Sequence, residues 1–400
     1  MSEAVRAQDL VWTIPPVERA RALAARFAQT AARFDESGEL PAENFVALHR
    51  KGLIGLTAPV SHAGAGAGLA EAAEVIRIIA GGEPSTALIL FMQYQNLAGL
   101  PRGRWSPALV AEVLADAVRN GALINSLRVE PELGSPSRGG LPETTARRTD
   151  TGWTISGRKI YSTGSTALGW MIVWAKTDEP APRLGRFLVP AGSPSIDIVP
   201  SWDSLGMRAT ASHDVVFDEV AIPHRYAADV RLPEEWQGKE PGDAAWHAAL
   251  LSSVYHGIAR AARDWLIGFL NERVPSNLGR PLSSLPRFQQ EVGRIEQLLV
   301  INEAMIGALA SDIDEGRVPS TDRSSLTKVT VTENAITAVE LALRLTGNHG
   351  ISRNNPLERH YRNVLCGRIH TPQDDSALVA AGKSALGGAT RDLASSEHLS

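Results

Sequence analysis

Between residues 121 and 232 the chain stops reading as helix, and that change of texture limits the folds open to it. Before it, "VERARALAARFAQTAARF", "AENFVALHRKGLIGL" and "LAEAAEVIRIIAGG" place apolar residues three and four apart, the spacing of amphipathic helices. The glycine-rich "APVSHAGAGAGL" interrupts them as a loop, and "GGEPSTALILFMQYQNLAGL" resumes as an apolar helix. Within the changed stretch, "TARRTDTGWTISGRKIYSTG" alternates polar and apolar residues about the turn "TDTG", the pattern of a β-hairpin. "WMIVWAKT", "GRFLVPAG" and "SHDVVFDEVAIP" read as further short strands. After it, "AAWHAALLSSVYHGIARAARDWLIGFLNERV" is one long helix that stops before Pro275. A second helix, and a third closed by Gly347, follow, and a fourth opens at "TPQDDSALVAAGKSALGG". The expected architecture is α+β: an N-terminal all-helical domain (1–120), a middle antiparallel β-barrel or sandwich (121–232) and a C-terminal four-helix bundle (233–400).

Composition removes several classes of function. The 400 residues are 44% hydrophobic and 21% charged with a formal charge of −4, so no basic field draws the chain to nucleic acid or anionic lipid. Cys366 is the single cysteine, which excludes an internal disulfide and suits a reducing compartment. "MSEAVRAQDLVW" lacks the basic start and apolar run of a secretory signal, and no apolar run reaches the roughly eighteen residues of a membrane span. A cytoplasmic protein without nucleic-acid or membrane partners and without a metal site is expected.

Four motifs carry the chemistry. "VEPELGS", "GRKIYSTGS", "LGMRATASHDVVFDEVAIP" and "LTGNHGISRNNPLERHYRNV" occur in that order. Together they resemble the acyl-CoA dehydrogenase flavoprotein superfamily over nearly the whole chain, and the resemblance implies the three-part fold and a flavin. A flavin needs hydrogen-bonding groups for its ring edge, an aromatic neighbour, and cationic or amide partners for its phosphates. Tyr161 and Thr163 lie two apart, which on a strand puts them on one face. By resemblance Tyr161 replaces a tryptophan against the flavin and Thr163 is a hydroxyl that reaches the ring; an ordinary strand would also hold such a pair. Resemblance likewise assigns Ser135 to the phosphates, and Arg273 and Gln289 to the cofactor of a neighbouring subunit. Arg273 also suits simple compensation of a helix C-terminus. Gly347 and Asn348 in "GNHG" would approach an adenosine. Because the family's usual residues there are replaced by Arg344 and Asn348, the cofactor is left as FMN or FAD. His349 reads as structural or cofactor-adjacent.

The departures from the family are equally informative. Removing the α-proton of an acyl-CoA requires a carboxylate within hydrogen-bond reach of that carbon. The position that holds this glutamate in most of the family is Thr371 here, preceded by His370. The alternative position on the long helix is His247, and the neighbouring arginine that helps hold substrate is Ala248. One branch of the superfamily lacks the glutamate and uses reduced flavin with O2, among them sulfur-compound monooxygenases and amino-sugar N-oxygenases. Such enzymes need a dry pocket and hydrogen-bond donors beside the oxygen being activated. His370, Ser162 and His247 are the catalytic candidates on that reading, with Trp202 and Thr371 on the substrate side. The Thr210-x-Ser212 pair in "RATASHD" also resembles this branch. The plainer role of "RIHTPQDD" is to cap the following helix through Thr371 or an aspartate.

Three functions follow from the sequence. The first is a two-component monooxygenase, fed reduced flavin by a separate flavin reductase and oxidising a small, largely apolar substrate. The second is an acyl-CoA dehydrogenase with its base relocated to Asp374 or Asp375. The third is an inactive binding homologue. By resemblance, a homotetramer is expected in each case.

Overall fold

The computed structural model describes residues 14–133, 140–236 and 240–396, which fall into two compact units dividing at residue 238. The first unit begins with six helices: α1 (Pro16–Ala28), α2 (Ala31–Ser37), α3 (Ala42–Arg50), α4 (Leu69–Gly82), α5 (Pro84–Gly99) and α6 (Pro107–Asn120). Helix α1 buries Ala20, Leu23, Ala24 and Phe27, the three-and-four spacing of the sequence, and packs on α4. Helix α5 starts where the Glu83 carboxylate accepts the backbone N–H groups of Ser85 (3.0 Å) and Thr86 (2.6 Å), with Pro84 in the first turn. Helix α6 stops at Gly121, whose φ of +74° is left-handed and whose missing side chain leaves room for the His49 ring; a Cβ there would lie 2.8 Å from it.

The chain then enters an eight-stranded sheet: β1 (Leu123–Leu127), β2 (Thr145–Arg148), β3 (Gly152–Lys159), β4 (Leu168–Thr177), β5 (Leu184–Pro190), β6 (Ile196–Val199), β7 (Asp214–Pro223) and β8 (Ala227–Arg231). The order is β6-β7-β3-β2-β4-β5-β8, with β1 also on β4. The expected hairpin is present as β2 and β3, with Arg148 opposite Trp153. Most pairings are antiparallel, but β1 and β2 each run parallel to β4. Parallel neighbours need a crossover, and the chain between Leu127 and Leu168 provides one. The apolar run of β4 is buried on both faces, as a central strand requires. Helix α5 is tied to β1 through Gln93, whose Oε1 accepts from Ile124 N–H (2.7 Å) and whose Nε2 donates to the Ala122 carbonyl (3.1 Å).

Strand β3 carries a bulge that matters downstream. Its register with β7 shifts between Ile155 and Gly157, and Gly157 adopts φ +148° with Thr144 so close that a Cβ would sit 2.6 Å from its hydroxyl. Beyond the bulge the strand ends at Lys159, which is fully buried. Its ammonium donates to Glu130 Oε1 (2.6 Å) and to the Trp174 carbonyl (2.5 Å). Glu130 also accepts from the backbone N–H of Glu143 (2.6 Å) and from the N–H and hydroxyl of Thr144 (3.1 and 2.5 Å). Two of the motifs, "VEPELGS" and "GRKIYSTGS", are thus the two ends of one buried ion pair. Burial pushes the Lys159 ammonium down to about 8, against the opposing pull of Glu130.

The second unit holds α7 (Pro241–Glu272), α8 (Pro286–Asp314), α9 (Thr321–Thr346), the short α10 (Leu357–Leu365) and α11 (Asp374–Ser396). Helix α7 packs against α8, α9 and α10 and buries residues on all sides over Ala248–Ile258, which marks it as the centre of the bundle. The signature "NPLERHYRNV" lies on α10. Glu358 accepts from Arg362 one turn later (2.7 and 3.1 Å), and Leu357, His360, Asn363 and Val364 are buried. Among the described residues no helix is long and apolar enough to cross a membrane.

Candidate active site

In the first unit, the segment after β3 meets the segment before β7. Backbone hydrogen bonds join them: Ser162 N–H to the His213 carbonyl (3.1 Å), Gly164 N–H to that of Thr210 (2.8 Å) and Ser165 N–H to that of Ala211 (3.2 Å). Tyr161, Met207 and Ala211 all take left-handed backbone conformations (φ +54°, +53° and +43°). Such conformations are uncommon for residues with side chains and concentrate where a surrounding structure imposes them, functional sites included. The expectation that Tyr161 and Thr163 share a strand face is therefore corrected. The strand ends at Lys159, and the reversal at Tyr161 sends its ring outward, 62% exposed, while Thr163 turns inward and is buried. The Tyr161 ring stands edge-on to Trp202, centroids 6.2 Å apart, and the Trp202 indole N–H is anchored on the Met207 carbonyl (3.0 Å).

Hydroxyl groups line the buried side of this junction. Thr163 Oγ1 lies 3.0 Å from Ser212 Oγ, which lies 2.8 Å from Thr210 Oγ1, which in turn donates to the Met207 carbonyl at 2.9 Å. The Thr163 carbonyl accepts from Asn125 Nδ2 (3.0 Å), so β1 fixes this residue from the other side. Ser162 is buried and its hydroxyl has no hydrogen-bond partner among the described residues. A buried polar atom left in this way is costly, by about 1–3 kcal/mol, unless something else satisfies it. His213 Nδ1 accepts from the N–H groups of both Ser201 (3.2 Å) and Trp202 (3.1 Å), which requires a neutral ring. Burial also lowers its pKa, against the opposing charge of Asp214.

In the second unit, "RIHTPQDD" forms the connection into α11. The His247 ring Nε2 lies 2.8 Å from the Thr371 carbonyl, and the buried Lys328 ammonium on α9 donates to the Pro372 carbonyl at 3.1 Å. Two helices therefore hold successive carbonyls of the connection. The half-buried His370 ring packs on Tyr255 of α7, centroids 5.8 Å apart. Burial, with the Lys328 charge in support, pushes His370 from its ordinary value of 6.5 to about 4. Helix α11 starts at Asp374, so both aspartates lie inside its first turn. Asp375 accepts from the N–H and hydroxyl of Ser376 (2.7 and 3.2 Å), while Asp374 stands 3.9 Å from Lys328. Both acids favour the helix through its dipole.

The linkage for His370 has a definite sign. Its folded pKa lies below the unfolded value, so between pH 6.5 and about 4 the unfolded chain binds a proton that the folded chain refuses. Acidification through that window costs stability, and His370→Gln is expected to flatten the acid side of a melting-temperature profile there. At pH 7 the ring is neutral, with one nitrogen able to donate and the other able to accept a hydrogen bond.

The remaining expected cofactor residues lie at the other end of the bundle or outside the described residues. Arg273 is exposed immediately after α7, and its carbonyl accepts from Leu282 N–H (3.0 Å). Gln289, in the first turn of α8, donates to the Ser283 carbonyl (3.0 Å). It lines a cavity of about 210 Å³ with Ile267, Leu270, Asn271, Phe288 and Val292. Gly347 (φ +55°) and Asn348 follow α9 and are exposed, and His349 packs its ring on Phe269, centroids 5.2 Å apart. Ser135 lies outside the described residues.

Models of the acyl-CoA dehydrogenase N-terminal, middle and C-terminal domains match residues 17–103, 129–220 and 249–374. YdbM of Bacillus subtilis (strain 168), a protein named for the acyl-CoA dehydrogenases, is 34% identical over 365 residues, which are 90% of this chain and 94% of the relative. The chain belongs to the acyl-CoA dehydrogenase family. Within it, the L-evernosamine nitrososynthase of a Micromonospora species is 28% identical, covering 87% of this chain and 84% of the relative. The structure of KijD3 in complex with FMN and a dTDP-linked amino-keto sugar superimposes with a TM-score of 0.81 at 27% identity, over 93% of each chain.

Membership makes a flavin the relevant cofactor, and the residues of the first unit fit one. An outward aromatic ring, an unpartnered buried hydroxyl and a second hydroxyl ending a polar chain are what a flavin ring edge requires. Several residues with clear roles in this geometry carried little signal in the sequence. Lys159 and Glu130 were visible only as members of motifs, Lys328 looked like any helical lysine, and His213 like a strand-end polar residue.

Proposed function

We propose that the protein is the oxygenase component of a two-component flavin monooxygenase acting on a small, largely apolar substrate. The observation that carries this reading is the hydrogen bond between the two positions where the family places its base. His247 and Thr371 are bonded to each other at 2.8 Å through the Thr371 carbonyl, and neither is a carboxylate. Asp374, the nearest acidic alternative in sequence, is engaged electrostatically by Lys328, and Asp375 is exposed. The similarity to a nitrososynthase and to the FMN complex of KijD3 supports the same branch.

On this reading Tyr161, Ser162 and Thr163 contact the flavin ring, and Arg273, Gln289, Gly347 and Asn348 serve its phosphate or adenosine end, with FMN or FAD as cofactor. The reduced flavin supplies the two electrons with which one oxygen atom of O2 enters the substrate and the other leaves as water. His370, neutral at pH 7, donates one hydrogen bond to the oxygen being activated. His247 holds the carbonyl next to it, and Lys328 the one after, so His370 is oriented without itself being strained. Trp202 and Thr371 border the substrate. A flavin reductase is the partner, and a homotetramer is the assembly expected from the family.

Adding a short-chain acyl-CoA anaerobically to the flavin-loaded protein is expected to leave the flavin absorbance unchanged. Bleaching that disappears in the Asp374→Asn, Asp375→Asn double variant would instead assign a relocated dehydrogenase base.

A further inference from the structure

The hydroxyl chain behind Thr163 has a direction. It contains three hydroxyl hydrogens and three oxygen–oxygen contacts: Thr163 to Ser212 (3.0 Å), Ser212 to Thr210 (2.8 Å) and Thr210 to the Met207 carbonyl (2.9 Å). A carbonyl only accepts, so the last contact needs the Thr210 hydrogen. Thr210 then accepts from Ser212, and Ser212 accepts from Thr163. Run the other way, the chain would leave two oxygens 2.9 Å apart with no hydrogen between them. Only the inward arrangement gives every contact its hydrogen. All four groups are buried, Thr163 keeping 7% of its surface and the others less, so a misdirected hydroxyl has little access to water. Burial in a low-dielectric setting makes such a mismatch expensive.

From this polarity we propose that Thr163 is an acceptor-only hydroxyl that selects the reduced form of the flavin. Its one hydrogen is committed inward, so it offers only lone pairs to a ligand. Reduction of the flavin ring adds hydrogen to a ring nitrogen that is a bare acceptor in the oxidised form. Thr163 therefore complements the reduced ring and opposes lone pair to lone pair in the oxidised one. The inference rests on the flavin site proposed above, and it adds a specificity device: an enzyme that captures free reduced flavin from a reductase and releases it once oxidised.

The test is an anaerobic equilibrium titration of the full chain with FMN and with FAD, each oxidised and each reduced by dithionite. The wild-type protein is expected to bind the reduced form more tightly. Ser212→Ala removes the inward acceptor and frees the Thr163 hydrogen to point outward. The ratio of oxidised to reduced dissociation constants is then expected to fall about tenfold, a change of ~1.4 kcal/mol. If Ser212→Ala does not fold, Thr210→Val is read in its place, since it removes the end of the chain without approaching the ligand. A merely structural role would move both dissociation constants together and leave their ratio alone. Equal affinity of the wild type for both forms, or a ratio unchanged in the variant, would overturn the proposal while leaving the flavin site standing. Failure to bind any form of either flavin would overturn both.

Discussion

Replacing His370 by alanine is expected to lower turnover by on the order of 10²- to 10³-fold while leaving flavin affinity unchanged. The magnitude is that of removing one pre-oriented hydrogen-bond donor from the point where charge develops. The geometry explains why the loss should be specific. The connection from Ile369 to Asp374 is held by its own backbone, with the Thr371 carbonyl bonded to His247 and the Pro372 carbonyl to Lys328, so truncating the His370 ring removes a side chain and not the fold of the loop. Packing against Tyr255 is lost, which costs some stability, and a melting curve separates that from catalysis. His370→Asn keeps a donor and is expected to recover part of the activity. Single-turnover product formation with pre-reduced flavin is the measurement. Full activity in the alanine variant would remove His370 from the chemistry.

The second large effect concerns stability. Lys159→Met leaves Glu130 buried beside an apolar side chain and is expected to destabilise the first unit by about 3–5 kcal/mol, the range for breaking one partner of a buried ion pair. Glu130 loses its only described charged partner, although the N–H groups of Glu143 and Thr144 still reach it. The double variant Lys159→Met, Glu130→Leu should recover much of the loss, because no buried charge then remains. Chemical denaturation of the three variants checks this. A single variant as stable as the wild type would mean the pair is not sealed from water. Flavin affinity should fall with stability in Lys159→Met, since Tyr161 follows two residues after the anchored lysine.

The sequence made most of the fold legible for a physical reason. Long helices repeat their apolar spacing many times, so Pro241–Glu272 and Thr321–Thr346 stand out, with only their first three or four residues missed by the spacing, and the hairpin of β2 and β3 announces itself through "TDTG" between alternating strands. Strand pairing is less visible, because the parallel contact of β1 with β4 joins segments forty residues apart through partners that look alike. The site was legible as a set of motifs and not as geometry. Tyr161 and Thr163 read as one strand face, yet a left-handed residue at the strand end separates them, and nothing local in "KIYSTG" demands φ +54° at a tyrosine. It is imposed by the backbone bonds to the 207–213 segment, which are long-range. The Thr210-x-Ser212 pair drew notice as a resemblance, while its role in a polarised chain with Thr163 depends on distances that no spacing rule conveys.

The most direct test of the central claim is to load the purified protein with reduced FMN or FAD, mix it rapidly with aerated buffer and follow the flavin absorbance. A transient oxygen-dependent species is expected that persists for seconds before the oxidised spectrum returns, and that decays faster in His370→Ala. Immediate reoxidation without a transient, together with anaerobic bleaching by an acyl-CoA, would contradict it and make the protein a dehydrogenase.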